Sequence, residues 1–242
     1  MTATPVRVEN SLFASLLLPL RHSLIVSCQA RDDEPLNDPD ILAAMAKAAV
    51  LGGARAIRAN KPENIHAIRQ AVDVPIFGIY KRDYPDSLVY ITPTLAEARA
   101  IVQAGCDILT IQATDQLRPS GETLAGFMRA LKREFNLPIM ADVSTLEEGI
   151  TAAKLGADLV ATTMSGYTPY SRQLPGPDLQ LIRELAAAIT VPVIAEGRIS
   201  TPEEARQALE MGAYAVVVGS MITRPQHITA YFVRGMRMSE DT

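Results

Sequence analysis

The sequence predicts a (β/α)8 TIM barrel, and three observations support that fold class. The chain has 242 residues, close to the roughly 250 that one such barrel contains. Hydrophobic residues make up 48% of the chain, so a large core is available. Short apolar segments alternate with helical patterns along the whole chain, without a break between domains. We therefore expect residues 1–242 to form one barrel domain, with residues 1–20 as a short N-terminal helical extension.

Two kinds of sequence mark indicate where a helix gives way to the next strand. A glycine before a small residue and an apolar run acts as a helix C-cap, and a proline between apolar residues stops a helix. The glycines are Gly53, Gly105, Gly156 and Gly212, and the prolines are Pro75, Pro138 and Pro192. Because the two marks alternate, they indicate an internal repeat of a helix and a strand.

Eight short apolar segments, rich in β-branched residues, are predicted to be parallel strands buried on both faces. They cover residues 24–28, 56–59, 76–80, 108–111, 139–142, 159–162, 193–196 and 215–218. Helical patterns include residues 41–51, 97–104 and 179–188, and capping boxes pair Thr94 with Glu97, Thr145 with Glu148 and Thr201 with Glu204. A doubly wound open sheet is the alternative, weakened because no Gly-x-Gly-x-x-Gly follows the first strand.

Residues 11–20 are apolar enough to be compared with a secretory signal. They lack a basic cluster before them and a small-residue cleavage site after them. The segment is also too short to span a membrane. We expect an amphipathic helix that closes the bottom of the barrel.

Composition argues against several classes of function. The net charge of −4, without basic blocks, argues against nucleic acid as a partner. Cys28 and Cys106 lie in or beside apolar runs, which is typical of buried thiols in a reduced, cytoplasmic protein. The three histidines are scattered without a metal-ligand spacing, so no metal site is expected.

Polar residues follow the predicted strands, at the end of a barrel where active sites lie. In strand order they are Gln29, Arg58, Lys81, Gln112, Asp142, Thr163, Glu196 and Ser220. Any one of them could be a solvated loop residue. A complete ring of polar groups around otherwise apolar strands predicts a functional mouth.

Lys81 is the most informative member of this ring. The neighbouring Arg82 and burial in the mouth would both lower its pKa. A neutral lysine can remove a proton or form a Schiff base, and the alternative is a surface Lys-Arg pair. Glu196 is a candidate acid or second proton carrier, or an ion-pair partner of Arg58 or Arg198.

Other charged residues in the ring are suited to holding a substrate. Asp142 could orient a substrate hydroxyl or hold Lys81. Arg58 and Arg224 are suited to bidentate contacts with phosphate or carboxylate oxygens, and the alternative for Arg224 is a helix-terminal charge.

Glycines follow the last two predicted strands, in Glu196-Gly197-Arg198 and in Gly219-Ser220. Glycine lets a ligand approach the backbone, and unpaired N–H groups form an anion-binding nest. In this fold the loops after strands 7 and 8 frequently bind phosphate. We therefore expect a phosphorylated ligand at this edge of the mouth.

The chain resembles the N-acetylmannosamine-6-phosphate 2-epimerases, cytosolic (β/α)8-barrel enzymes of sialic acid catabolism. The matching segments are LIVSCQA, IRAN, YKRDYPDSLVYITPT, MADVSTLEEG, ATTMSGYTPYS, VIAEGRISTPEEA and VVVGSMITRP. They extend over nearly the whole chain beyond residue 20. One departure concerns Gln112, which stands where the family usually has an aspartate.

The resemblance implies a role for each matching residue. Lys81 would be the base at C2 and Glu196 its acidic partner. The sugar-holding residues would be Gln29, Arg58, Asp142 and Arg224, and the phosphate-binding residues would be Gly197, Arg198, Gly219 and Ser220. No cofactor or metal would be needed, and barrels of this type often form homodimers. The remaining alternatives are a Schiff-base phosphosugar lyase and a non-catalytic phosphosugar-binding protein.

Overall fold

The computed structural model describes residues 15–236, which contain a closed barrel of eight parallel strands in chain order. Each strand pairs with the next, and the first pairs with the last. The strands are β1 Leu24–Cys28, β2 Ala56–Asn60, β3 Ile76–Ile79, β4 Ile108–Gln112, β5 Ile139–Asp142, β6 Leu159–Ala161, β7 Val193–Glu196 and β8 Ala215–Val218. The predicted barrel is confirmed, and the open-sheet alternative is wrong.

Helices connect the strands and cover the outside of the barrel. They are α1 Pro39–Leu51, α2 Pro62–Ala71, α3 Leu95–Gln103, α4 Leu124–Glu134, α5 Leu146–Lys154, α6 Leu179–Ala188, α7 Pro202–Glu210, α8 Ser220–Thr223 and α9 Pro225–Gly235. The three predicted capping boxes begin α3, α5 and α7. The four punctuating glycines have φ between 88° and 106°, as a helix C-cap requires.

Several predicted boundaries shift by one or two residues. β2 runs on to Asn60 because that residue still pairs with Ile79 of β3. Tyr80 leaves β3 because its carbonyl accepts a hydrogen bond from Thr92, in a segment that folds back over the mouth. β4 includes Gln112, β6 ends before Thr162, and α1 starts earlier than predicted because Asp38 caps it.

Side chains in each strand alternate between two apolar environments. Outward-facing residues such as Ile57 and Leu109 pack in the core shared with the helices. Inward-facing residues near the start of each strand form a second cluster inside the barrel: Ile25, Ala56, Phe77, Ile108, Met140, Leu159, Ile194 and Ala215. Because both faces are buried, the strands appear in the sequence as continuous apolar runs.

The N-terminal segment closes the lower end of the barrel, which we call the floor. Residues 15–17 are helical and continue into a 3-10 helix, Leu18–Leu20. Leu17 and Leu20 are buried against the inner cluster, while Leu18 is exposed. The Tyr214 hydroxyl donates to the Leu17 carbonyl over 2.9 Å. The described part of the predicted helix agrees with the prediction, and residues 11–14 lie outside the described residues.

Candidate active site

The strand alternation that fills the floor with apolar side chains places polar ones at the opposite end, the mouth. Inward positions recur every second residue, so Ile25 leads to Gln29, Ala56 to Arg58, and Ile194 to Glu196. The mouth is therefore built from the last inward-facing residue of each strand.

An ion network lies at the centre of the mouth. Arg58 donates to both carboxylate oxygens of Asp142 over 3.1 and 2.6 Å, and to Glu196 over 2.8 Å. Arg58 and Asp142 are 1% and 0% exposed, whereas the Glu196 side chain keeps 13% of its surface exposed. The prediction that Arg58 and Asp142 touch the sugar is therefore not favoured by their burial. Glu196 is the member of the network that a ligand can reach.

Thr163, which follows β6, joins the two carboxylates. Its hydroxyl oxygen lies 2.7 Å from an oxygen of Asp142 and 3.1 Å from the Glu196 oxygen that also faces Arg58. Burial raises the pKa of Glu196 against the opposing charge of Arg58, and the charge of Asp142 adds to the increase. The network thus favours a protonated carboxyl at its most accessible position.

Lys81 stands beside this network on the segment that follows β3. Its amide N–H donates to the Asn60 side-chain oxygen over 2.8 Å, and the residue forms an antiparallel bridge with Ile91. Within residues 15–236, the Lys81 amine forms no hydrogen bond or ion pair. Desolvation in the mouth and the charge of Arg58 lower the pKa of Lys81 to about 8. Solvent still reaches the exposed Lys81 side chain. A ligand that displaced this water would lower the pKa of Lys81 further.

Gln29 and Arg224 lie at the β1 and β8 side of the mouth. Gln29 donates to the Ser27 hydroxyl over 2.6 Å and is half-buried. Arg224 forms an ion pair with Glu34 of the loop after β1, and Arg224 Nε is buried without a hydrogen-bond partner in the described part of the chain. A phosphate reaching Arg224 would therefore compete with a carboxylate of the same chain.

The turn after β7 has an unusual backbone. Gly197 and Arg198 have φ of 115° and 56°, and neither amide N–H donates a hydrogen bond within residues 15–236. The Arg198 guanidinium instead donates to the carbonyls of Gly176 and Ser165, over 2.9 and 2.6 Å. The side chain holds the loop after β6, which leaves the backbone N–H groups as its possible ligand contacts.

Gly219 permits a close approach of β8 to β1. A Cβ atom at this position would lie 3.2 Å from the Ser27 Cβ atom, which is tighter than ordinary packing. The Gly219 N–H donates to no group in the described residues, and Ser220 follows as the first residue of α8. The predicted phosphate positions after β7 and β8 therefore lie on neighbouring strands with unpaired N–H groups.

Gln112 is not an open member of the ring, although the sequence placed it there. Its side-chain oxygen accepts hydrogen bonds from the Tyr90 and Ile91 N–H groups, over 3.0 and 3.4 Å, and the residue is 1% exposed. Its amide nitrogen donates to Thr114 and Gln116. Gln112 therefore fixes the segment at Tyr90 and Ile91, which folds over β4. Its carboxamide makes these contacts without carrying charge.

Sequence reasoning missed Tyr90 and a pair of anchoring carboxylates. Tyr90 is half-buried at the mouth, within the motif YKRDYPDSLVYITPT. Glu97 accepts from the Tyr84 hydroxyl over 2.9 Å, and Glu148 accepts from the Tyr170 hydroxyl over 2.8 Å. The capping-box pattern identified both glutamates as helix caps but gave no signal for these second contacts, which fix the loops around the mouth.

Residues 15–236 contain neither a metal site nor a membrane-spanning helix. No group of three His, Cys, Asp or Glu side chains there could hold a metal ion. No helix in the same range combines the length and the apolar character needed to cross a bilayer.

Comparisons with known proteins identify the family of the chain. A family model described as "Putative N-acetylmannosamine-6-phosphate epimerase" matches residues 42–238. A protein of Caldanaerobacter subterraneus subsp. tengcongensis, named "Putative N-acetylmannosamine-6-phosphate 2-epimerase", is 53% identical over 219 residues, covering 90% of this chain and 92% of that protein. A protein of the same name from Clostridium perfringens strain SM101 is 50% identical over 213 residues, 88% of this chain and 96% of its own.

Solved structures extend the comparison. The N-acetylmannosamine-6-phosphate 2-epimerase from Clostridium perfringens has a TM-score of 0.88 and 45% identity, over 97% of this chain and 100% of that chain. Thiamine phosphate pyrophosphorylase from Pyrococcus furiosus, with a TM-score of 0.58 and 20% identity, shares the fold alone. The family match and the identity of the relatives show that the chain belongs to the N-acetylmannosamine-6-phosphate epimerase family.

Proposed function

We propose that this chain is an epimerase that interconverts N-acetylmannosamine 6-phosphate and N-acetylglucosamine 6-phosphate. The observation that carries the proposal is the pairing of two groups at the mouth. Lys81 is an amine without a protein partner in the described residues and with a pKa of about 8, and it lies beside Glu196, a carboxyl with a raised pKa. Groups poised in this way are suited to proton transfer near neutral pH.

The chemistry requires a proton to leave C2 and return on the opposite face. In the open-chain sugar, C1 is an aldehyde, so its carbonyl acidifies the C2–H bond. Neutral Lys81 takes this proton, and the electron pair delocalises onto the C1 oxygen as an enolate. Glu196, held in place by Arg58, exchanges a proton with the substrate. No cofactor or metal takes part in this scheme.

The Thr163 hydroxyl bears on the protonation of Glu196. A hydroxyl carries one proton, so it can donate to only one of the two carboxylates beside it. Donation to Glu196 would lower the pKa of that carboxyl, but the shorter contact, 2.7 Å to Asp142, is the better donor geometry. The 3.1 Å contact to Glu196 is then favourable when Glu196 donates to the Thr163 oxygen. Because the pKa of Glu196, about 7, lies below that of Lys81, about 8, the state with Glu196 as the acid and Lys81 as the base is about a tenth as populated as the ion pair.

Arg58 and Asp142 act through Glu196 rather than on the sugar. Their bidentate pair is buried, and Arg58 uses one nitrogen for both carboxylates. This arrangement fixes the Glu196 side chain in position. Gln29, half-buried at the neighbouring strand end, remains available for a sugar hydroxyl.

The substrate phosphate binds at the ends of β7 and β8. The unpaired N–H groups of Gly197, Arg198, Gly219 and Ser220 provide the contacts, and Arg224 contributes charge once the phosphate replaces Glu34. Anchoring the phosphate far from C2 positions the reacting carbon over Lys81.

Self-association and a cytoplasmic location complete the proposal. α9 contains no buried residue and exposes Tyr231, Phe232 and Val233 by 48%, 62% and 50%. Exposed apolar side chains at the end of a helix are typical of an interaction surface, so we propose a homodimer that uses α9. A lower mass of Phe232→Glu than of the parent chain in light scattering would support it, and equal masses would contradict it. The two buried thiols are consistent with a reducing, cytoplasmic environment.

Proton NMR of N-acetylmannosamine 6-phosphate with the full chain in D2O tests the activity. We expect deuterium at C2 together with the gluco epimer. Binding without C2 exchange would contradict the proposal and favour a non-catalytic phosphosugar-binding protein. Covalent trapping by borohydride would instead indicate a Schiff base on Lys81.

A further inference from the structure

The segment that carries Lys81 also brings an aromatic hydroxyl to the mouth. Lys81 and Ile91 face each other in an antiparallel bridge, and Tyr90 precedes Ile91 in the returning strand of this ribbon. The Tyr90 carbonyl accepts from the Arg82 N–H over 2.9 Å, and the Tyr90 N–H donates to Gln112 over 3.0 Å. The backbone of Tyr90 is thus fixed on both sides, next to the candidate base.

The Tyr90 side chain has a firm apolar support. Ile79, Ile91 and Met164 are each at most 1% exposed and form a small cluster separate from the two main cores, with Tyr90 packed against it. This cluster lies at the mouth, where the other inward-facing groups are polar. Tyr90 is the member that remains half-exposed, so it offers the ring surface that a ligand can reach.

The hydroxyl of Tyr90 lacks a strong acceptor. Within residues 15–236 its one hydrogen-bond contact is the Met164 sulfur at 3.7 Å, and a thioether is a weak acceptor. Most buried hydroxyls in proteins have a strong partner. Burial and the charge of Asp142 raise the pKa of Tyr90 to about 12, so the phenol keeps its proton at any working pH. The same hydroxyl lies close enough to Arg58 and Asp142 to interact with their charges.

We propose that Tyr90 is a specificity-determining residue that binds the acetamido group on C2, donating its hydroxyl to the acetamido carbonyl and covering the methyl group with its ring. The proposal rests on the proposed function, which supplies the acylated sugar as the ligand. An acetamido group presents an acceptor and a small apolar surface side by side. Tyr90, supported by Met164, presents a donor and an apolar surface in the same arrangement. The Gln112 side-chain oxygen accepts from the Tyr90 backbone N–H and so holds the tyrosine in place.

Binding measurements separate this interaction from catalysis. Calorimetry would compare N-acetylmannosamine 6-phosphate with mannose 6-phosphate, which has a hydroxyl in place of the acetamido group. The full chain would carry Lys81→Met in every case, so that the ligand is not converted. Tyr90→Phe removes only the hydroxyl. Tyr80→Phe is the matched control, because Tyr80 lies in the same ribbon and packs against the outer core.

We expect Tyr90→Phe to weaken binding of N-acetylmannosamine 6-phosphate by about threefold to tenfold, the range of one neutral hydrogen bond. Binding of mannose 6-phosphate should stay within about twofold in both tyrosine variants. Equal weakening for both ligands would show a merely structural effect and overturn the proposal. No effect of Tyr90→Phe, or a Lys81→Met parent that binds the two ligands equally or not at all, would overturn it too. A wild-type chain that bound the acylated sugar without C2 exchange would refute the epimerase alone.

Discussion

The two ends of this barrel are built from the same eight strands but contain opposite kinds of side chain. At the floor, the inward-facing residues are apolar and Leu20 seals them from solvent. At the mouth, two to four residues further along the strands, the inward-facing residues include Arg58, Lys81 and Glu196. The same barrel architecture can therefore hold apolar or polar inward-facing side chains. The apolar floor stabilises the fold, and the polar mouth provides the candidate reactive groups.

The difference can be tested because the two ends should respond differently to substitution. A change at the floor should alter the free energy of unfolding and leave the chemistry of the folded molecules intact. A change at an exposed mouth residue should do the reverse. The Arg58–Asp142 pair is an intermediate case, because it belongs to the mouth but is as inaccessible as the floor.

The largest expected effect is on activity, from Lys81→Met. Removing a general base typically lowers a rate by about 10²–10⁴-fold, so C2 deuterium exchange should fall by that factor. The variant should stay folded, because the Lys81 amine forms no hydrogen bond or ion pair within residues 15–236 that would be lost. Lys47→Met, an exposed lysine on α1, is the control. Near-normal exchange in Lys81→Met would refute Lys81 as the base.

Arg58→Met should impair both stability and activity. Removing one partner of a buried ion pair leaves an uncompensated charge, which costs about 3–5 kcal/mol in the free energy of unfolding. Arg99→Met is the matched control, since its ion pair with Glu134 is exposed and should contribute about 1 kcal/mol or less. Equal losses of unfolding free energy in Arg58→Met and Arg99→Met, measured with urea, would contradict the expectation that the buried ion pair matters more to stability than the exposed one.

Leu20→Ala tests the floor. The leucine is 0% exposed inside the barrel end, so truncation should lower the free energy of unfolding by about 2–5 kcal/mol. The rate of C2 exchange per folded molecule should be unchanged at a temperature well below the transition. Leu18→Ala is the control, because Leu18 is 70% exposed in the same short helix. A selective loss of exchange in Leu20→Ala would indicate that the two ends are coupled.

Local sequence signals predicted the architecture and the composition of the mouth. Capping boxes, C-cap glycines and apolar runs are read within a few residues, and they placed β1, β5, β7 and β8 at their observed bounds. The polar residue after each strand was predicted from the same runs. These features depend on the chain's own neighbours, which is why a single sequence reveals them.

Long-range pairing could not be predicted in the same way. Arg58 donates to Asp142, which lies 84 positions later in the chain, and to Glu196, which lies 138 positions later. Glu34 reaches Arg224 only because the barrel closes. Sequence reasoning left Glu196 two possible arginine partners, Arg58 and Arg198, and side-chain direction selects Arg58. Gln112 belonged to the predicted ring by position, yet the returning segment near Tyr90 covers it.

The smallest expected effect is a shift in the pH profile of Thr163→Val. C2 exchange needs neutral Lys81 and protonated Glu196 together, and their pKa values are about 8 and about 7. Because the base has the higher pKa, the rate should rise with pH through about 7 and fall above about 8. If the Thr163 hydroxyl accepts a proton from Glu196, valine removes that acceptor and lowers the pKa of the carboxyl. The rising limb then moves to lower pH, by about one unit for a loss of about 1.4 kcal/mol, and the maximal rate falls.

The direction of that shift decides between two hydrogen-bond arrangements. A hydroxyl that donates to ionised Glu196 would hold the pKa of the carboxyl down, and its removal would move the rising limb to higher pH. Thr163→Ser keeps the hydroxyl and should restore the wild-type profile. An unchanged profile in Thr163→Val would show that the proton on Glu196 depends on burial and Asp142 alone. The shift to lower pH is expected because the 2.7 Å contact commits the hydroxyl proton to Asp142, leaving a lone pair for Glu196.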